Sequence, residues 1–132
     1  MIRLHNPGNI ENDGDQWKGL SEDQPHHRFY KFISPEYGIR AIIRLLVTYN
    51  KKYDGDTIKE IITRWAPPSE NNTIAYIKSV CKKTGKNPDD PVDITSRKEI
   101  ASLVKAIILH ENGVQPYDNT VIEKALDLAG IA

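Results

Sequence analysis

Glu111 is the residue in this chain whose position most invites chemistry. It follows Ile100, Leu103, Val104, Ile107 and Ile108, which recur at the i, i+3, i+4, i+7 spacing of one helix face, and it takes the next place on that apolar stripe. Gly113, just beyond, suits the left-handed conformation that ends a helix. A carboxylate set where a hydrophobe is expected, near the negative end of a helix dipole, has its charged form disfavoured twice over. Both effects push a glutamate upward from its usual value of about 4.3. A carboxylic acid that keeps its proton near neutral pH is what cleavage of a glycosidic bond requires. The plain alternative is a helix that stops one turn earlier and leaves Glu111 in water.

Other residues fit a role around such an acid. Tyr76 and Tyr117 offer aromatic faces, and Asn9, Asn72 and Gln115 offer amides for N-acetyl groups, with Thr73 beside them. Each has a structural alternative: Asn72 as a helix cap, Tyr76 as core, Asn9 as part of a turn, Thr73 in a first helical turn. Asp13, Asp15, Glu22 and Asp23 lie on an acidic loop and are the candidates for a second acid, against the simpler reading of a solubilising loop. Trp17 and Trp65 read as packing residues, and His110 points about 100° away from Glu111 around the helix. No spacing among His5, His26, His27 and His110 suggests a metal site, and nothing implies a cofactor.

The elements that would position these groups are mainly helical. The chain has 132 residues, enough for one domain over 1–132, and 18 basic residues balance 18 acidic ones. That balance argues against a dedicated nucleic-acid site, leaving only local lysines (Lys51-Lys52, Lys82-Lys83, Lys86) to suggest one. The single cysteine, Cys81, excludes an internal disulfide. No secretory signal or membrane-length apolar run is visible, so synthesis in the cytoplasm is expected, with any route to the cell wall supplied from elsewhere.

Residues 1–33 are broken by Pro7, Gly8, Gly14, Gly19 and Pro25, with a tight turn at Asn6–Ile10 in which Gly8 permits positive φ. His27–Ile33 reads as a strand in a short β-hairpin with the region near Trp17. About five helices follow. One opens at Ser34-Pro35 and ends at Asp54-Gly55, with Tyr49 and Tyr53 extending its stripe; the next is capped by Asp56 and carries Ile58, Ile61, Ile62 and Trp65. A third, capped by Asn71 or Asn72, carries Ile74, Ile77 and Cys81. The Glu111 helix starts at a Ser96/Glu99 capping box, and the last at a Thr120/Glu123 box.

Three segments together resemble a known group. Glu111 in AIILHENGVQP resembles the helix-ending Glu-Ser-Gly of soluble lytic transglycosylases and goose-type lysozymes, with Asn112 where those have Ser. The run Asn6-Pro7-Gly8-Asn9-Ile10, Trp17, Gly19, Phe29–Phe32 and Tyr37–Ala41 is similar to an opening in phage virion proteins of the lysozyme-like superfamily. Trp65-Ala66-Pro67-Pro68, Asn72-Thr73 and Tyr76 resemble a second motif of those proteins. The Glu-bearing helix comes near the end rather than first, so the resemblance implies a circularly permuted, lysozyme-like α+β domain.

It also implies a muramidase or lytic transglycosylase that cuts the β-1,4 bond after N-acetylmuramic acid, with Glu111 as general acid and Tyr76 on the substrate side. Such a protein would be virion-associated, act on the cell wall in the periplasm and meet other virion proteins. The single-acid transglycosylase route is favoured, because no second carboxylate stands out. The competing expectation is a non-catalytic virion structural or wall-binding protein that keeps the fold.

Overall fold

A computed structural model describes residues 1–53 and 56–132, without the side chain of Tyr53. Among the described residues five helices carry the fold: α1 (Pro35–Tyr53), α2 (Ile58–Trp65), α3 (Thr73–Thr84), α4 (Arg97–Asn112) and α5 (Asn119–Leu128), after a 3₁₀ turn at Ile2–Leu4. The chain is mainly helical, as its apolar periodicity predicts. α1 packs most extensively on α5, α3 on α4 and α2 on α3, while α4 touches α1, α3 and α5. Ile100, Leu103, Val104, Ile107 and Ile108 of α4 are all at most 1% exposed. At about 1.5–3 kcal/mol for each fully buried aliphatic side chain, this one face is a principal anchor of the core.

Helix starts depart from the sequence reading in instructive ways. α2 is capped by Thr57, not Asp56, and it is Thr57 with Glu60 that forms a complete capping box. At α4 the Ser96 side chain accepts from the Glu99 N–H, but the Glu99 carboxylate turns away to Lys86 Nζ, 2.7 Å distant, so only half the expected box is made. α5 is capped by Asp118 rather than Thr120, and Glu123 instead meets Arg97 at 2.5 Å. In each case a nearby cation or a better-placed acceptor took the side chain that the pattern assigned elsewhere. The expected end of the first helix at Asp54-Gly55 lies outside the described residues. On α3, Ile74 is 69% exposed and Cys81 half-buried, whereas Tyr76, Ile77 and Val80 face the core.

The hairpin expected near Trp17 is not formed as such. The segment from Phe29 to Phe32, between bends at Arg28 and Ile33, makes isolated antiparallel bridges to two segments, Phe29 with Glu11 and Phe32 with Leu20. Backbone bonds from Tyr30 N–H to Ile10 and from Ile33 N–H to Gly19 complete this small β-like patch. Two glycines explain how closely it seats. A Cβ at Gly38 would lie 1.8 Å from the His5 carbonyl oxygen, and one at Gly8 2.7 Å from Ile42. Gly8 therefore supplies room, and the positive φ of that turn falls on Asn9 instead (φ 52°), a residue type that tolerates it.

Candidate functional site

α4 reaches Asn112 and stops at Gly113, whose φ of 73° and N–H bond to Leu109 O close the helix. Glu111 is therefore in the last turn, half-buried as its place on the stripe predicts. Both of its carboxyl oxygens are held. Asn9 Nδ2 donates to Oε1 at 2.8 Å, and the Tyr76 hydroxyl donates to Oε2 at 2.7 Å. These donors come from the N-terminal turn and from α3, so three distant segments converge on one carboxyl group.

Each donor is itself positioned. Tyr76 is 2% exposed, and its ring lies against His110 with centroids 3.8 Å apart. Burial, and then the negative charge of Glu111, hold its phenol far above the usual range, so it remains a donor at any ordinary pH. Asn9 also accepts from the Met1 nitrogen, which bonds the Asn6 carbonyl as well. Burial lowers that amine to about 6, against the opposing pull of Glu111. Asn112, in the place where the resembled enzymes have Ser, donates to Pro7 O at 2.8 Å and Ile108 O at 2.9 Å. It ties the helix end to the turn that carries Asn9.

Glu111 opens on a cleft of about 470 Å³. It is lined by Gly8–Glu11 with Asp13, Asp15 and Trp17, by Arg28 and Phe29, by Leu45 and Tyr49 of α1, by Trp65 and Ala66 at the end of α2, and by Glu70 and Asn71. Among the described residues the lining thus combines four aromatic side chains with five carboxylates, and its one cation, Arg28, is paired with Glu11 at 2.6 Å. Such a field repels phosphate backbones and suits an uncharged polar ligand with flat apolar faces, which is the character of a sugar ring.

Among the residues singled out from sequence, Glu111, Asn9, Asp13 and Asp15 line the cleft, and Tyr76 reaches it only through Glu111. Asp13 is held by the Asp15 N–H at 3.1 Å and the Tyr30 hydroxyl at 3.0 Å. Those donors, the Asp15 amide foremost, keep its carboxyl below the ordinary range. Glu22 and Asp23 lie outside the lining; Asp23 pairs with Lys31 at 3.0 Å and bonds Ser21. Asn72 caps α3 by accepting from Ala75 N–H, while its neighbour Asn71 faces the cleft. Thr73 is buried and donates to Ala66 O. Gln115 bonds both backbone groups of Tyr117, which packs against the core with its hydroxyl buried and unpaired among the described residues.

Tyr49, Phe29, Glu70 and Asn71 line the cleft too, and so do Trp17 and Trp65, which read from sequence as packing residues. Trp65 does pack on the core, yet its edge also lines the cleft. The run Trp65–Asn72 holds a signal, since Pro67-Pro68 stop the helix and the loop that follows is where binding groups concentrate.

Among the described residues no group of three or more His, Cys, Asp or Glu side chains converges to hold a metal ion, and no helix is long and apolar enough to cross a membrane. No family profile matches the chain. It is 37% identical over 129 residues to Protein P5 of Pseudoalteromonas phage PM2, a match that covers 96% of this chain and 79% of the relative. At that identity and coverage, the chain belongs to the family of the phage PM2 protein P5.

Proposed function

We propose that this protein cleaves the glycan of peptidoglycan at the β-1,4 bond after N-acetylmuramic acid, with Glu111 as general acid, on a lysozyme-like α+β fold. The observation that carries this reading is the convergence of Asn9, Tyr76 and the end of α4 on one carboxyl group at an aromatic-lined cleft. A phage relative supports it too, because a phage has to pass its host's wall, and it favours association with the virion and other virion proteins.

In the reaction, Glu111 gives its proton to the leaving glycosidic oxygen as the bond to the anomeric carbon breaks. The Asn9 and Tyr76 donors then hold the carboxylate that results. In the single-acid route the same carboxylate takes the proton of the sugar's own hydroxyl, whose oxygen closes the anhydro ring. In the hydrolytic route water attacks instead, aided by a second carboxylate about 6.5–9.5 Å away, or a covalent intermediate forms on one about 5–5.5 Å away. Asp13 and Asp15 are the sequence-nominated acids that share the cleft with Glu111.

The test is release of sugars from purified cell wall by the wild type and by Glu111→Gln. The wild type is expected to clear a peptidoglycan zymogram, and the variant to lose about 10²–10⁴-fold in rate. Equal clearing by the variant would remove Glu111 from the role. Mass spectrometry of the products separates the routes, anhydro ends for the transglycosylase and reducing ends for the hydrolase.

A second reading is favoured by the same bonds. With both oxygens occupied, Glu111 also works as a bolt between the N-terminal turn, α3 and α4, as it would in a non-catalytic virion or wall-binding protein. A glutamine there keeps only one acceptor oxygen for the two donors and loses the charge that strengthens both bonds, so Glu111→Gln lowers the melting temperature in either case. Absence of sugar release by the folded wild type is the outcome that selects the structural reading.

A further inference from the structure

We propose that His26 is a proton-operated latch beside the cleft: its Nδ1 ties the backbone of Arg28 and Phe29 into the turn that presents them, and protonation of that nitrogen releases the turn. The latch regulates the site described above, so its effect on turnover rests on the glycan-cleaving reading. His26 Nδ1 accepts from the Arg28 N–H and from the Phe29 N–H, each at 3.1 Å. An accepting nitrogen carries no proton, so the neutral ring keeps its hydrogen on Nε2. A second proton can enter only at Nδ1, where two N–H donors already point. The imidazolium has no acceptor left for them, and the turn has to let it go.

What the turn holds lines the cleft. Arg28 and Phe29 both do, and so does Glu11, which bridges Phe29 and pairs with Arg28 at 2.6 Å. The Arg28 carbonyl accepts from the Asn12 N–H at 2.8 Å, which joins the turn to the loop of Asp13 and Asp15. The surroundings of His26 also oppose its charge. Its ring is stacked on those of His27 and Phe29, with centroids 4.6 and 5.1 Å apart. The charged and titratable groups that act on it are His27 and Arg28 from its own segment, and Arg3 with the Met1 amine from the N-terminal turn; Glu11 is engaged by Arg28. Loss of water around the ring, and then these groups, His27 and Arg3 foremost, hold the imidazole below its usual 6.5. The stability that the neutral ring gives the closed turn is whole above 6.5 and is lost as pH falls from there through the folded value.

The experiment follows the His26 ring and the Arg28 and Phe29 amides by NMR from about pH 8 to about pH 4.5, in wild type, His26→Asn and His27→Gln. In wild type both amides are expected to move at the midpoint of the ring, below 6.5, with faster hydrogen exchange on the acid side. Asparagine offers an oxygen to the same two N–H groups at every pH, so His26→Asn should hold both amides and lose the step. His27→Gln should keep it. A ring that titrates while the amides stay still, or an equal step in His26→Asn, overturns the proposal.

Kinetics on cell-wall glycan separates failure of the latch from failure of the enzyme reading. The wild-type KM should rise about two- to tenfold over the same range, the worth of one net hydrogen bond, and stay level in His26→Asn. A rise shared by His26→Asn counts against the latch. An amide step without sugar release leaves the latch standing and removes the enzyme reading; sugar release with no amide step removes the latch alone.

Discussion

The first 34 residues and the remaining 98 are held together by different physics. The helical part is held by apolar faces: Ile39, Ile42, Ile58, Ile61, Ile107 and Leu126 are all fully buried. The N-terminal part sets only Tyr30 and Phe32 into a small cluster against Ala41 of α1, and it depends on polar side chains that bond backbone. Asn6, fully buried, accepts from Ile10 N–H and donates to Ile10 O and Tyr30 O, each at 2.9 Å. Gln24 does the same on the surface side, bridging Ser21 and Lys31. The site lies on the seam, with Glu111 from the helical part and Asn9 from the other. A catalytic group on a rigid helix is thereby oriented by a turn whose shape depends on a few hydrogen bonds.

The sharpest way to break this contrast is Asn6→Ala. Three backbone groups lose their partner, and at about 1 kcal/mol or more each the loss is about 3 kcal/mol or more. The expected result is a lower melting temperature, with hydrogen exchange rising first in residues 6–12 and 28–33. A uniform rise across α4 and α5 would mean that the two parts do not differ in the way described. Gly38→Ala attacks the seam itself, because the new methyl would sit 1.8 Å from the His5 carbonyl oxygen. Overpacking of this kind costs about 1–3 kcal/mol, and here it should push the N-terminal segment off α1. Chemical denaturation gives the cost.

The same contrast explains what could be read in advance. The helices were legible because Ile100, Leu103, Val104, Ile107 and Ile108 repeat at helical spacing and have no competing partner. Caps were less so: Glu99 and Glu123 found Lys86 and Arg97, cations distant in sequence that no local pattern encodes. Glu111 stood out because it interrupts a stripe. Its donor Asn9 lies 102 positions earlier in the chain, and Asn71, not Asn72, faces the cleft because the cap geometry assigned the latter. In the N-terminal part, Asn6 looked like any turn asparagine, and nothing local announced that its amide organises two other segments.

The seam can be sharpened by removing the two Glu111 donors in turn. Asn9→Ala and Tyr76→Phe each delete one charge-assisted bond, worth about 1.5–3 kcal/mol, or roughly tenfold to a hundredfold in rate where it is made in the transition state. Tyr76→Phe should lose less stability than Asn9→Ala, since its ring keeps its packing on His110. Asn9→Ala should lose rate and also loosen the Met1–Ile10 turn. Equal melting temperatures for the two variants would contradict the assignment of Asn9 to the weaker region.

The smallest effect is expected at Asp13, at the far lip of the cleft. Its carboxyl lies below its ordinary value of 3.8 because the Asp15 N–H donates to the charged form, against the opposing effect of burial, and the Tyr30 hydroxyl adds a smaller lowering. A carboxylate lowered on folding contributes stability that is present above the unfolded value and lost as pH falls through the folded one. Tyr30→Phe removes the weaker of these two donors, so Asp13 should titrate closer to 3.8 while remaining below it, the Asp15 amide being untouched. The acid limb of the stability profile then flattens slightly, and the stability that the lowered carboxyl contributes above its unfolded value, neutral pH included, becomes smaller. NMR titration of the Asp13 carboxyl carbon reads this directly. An unchanged midpoint would mean that the phenol serves the Asp15 carbonyl alone, which it also meets at 2.8 Å, and that this lip is held by backbone bonds rather than by its acid.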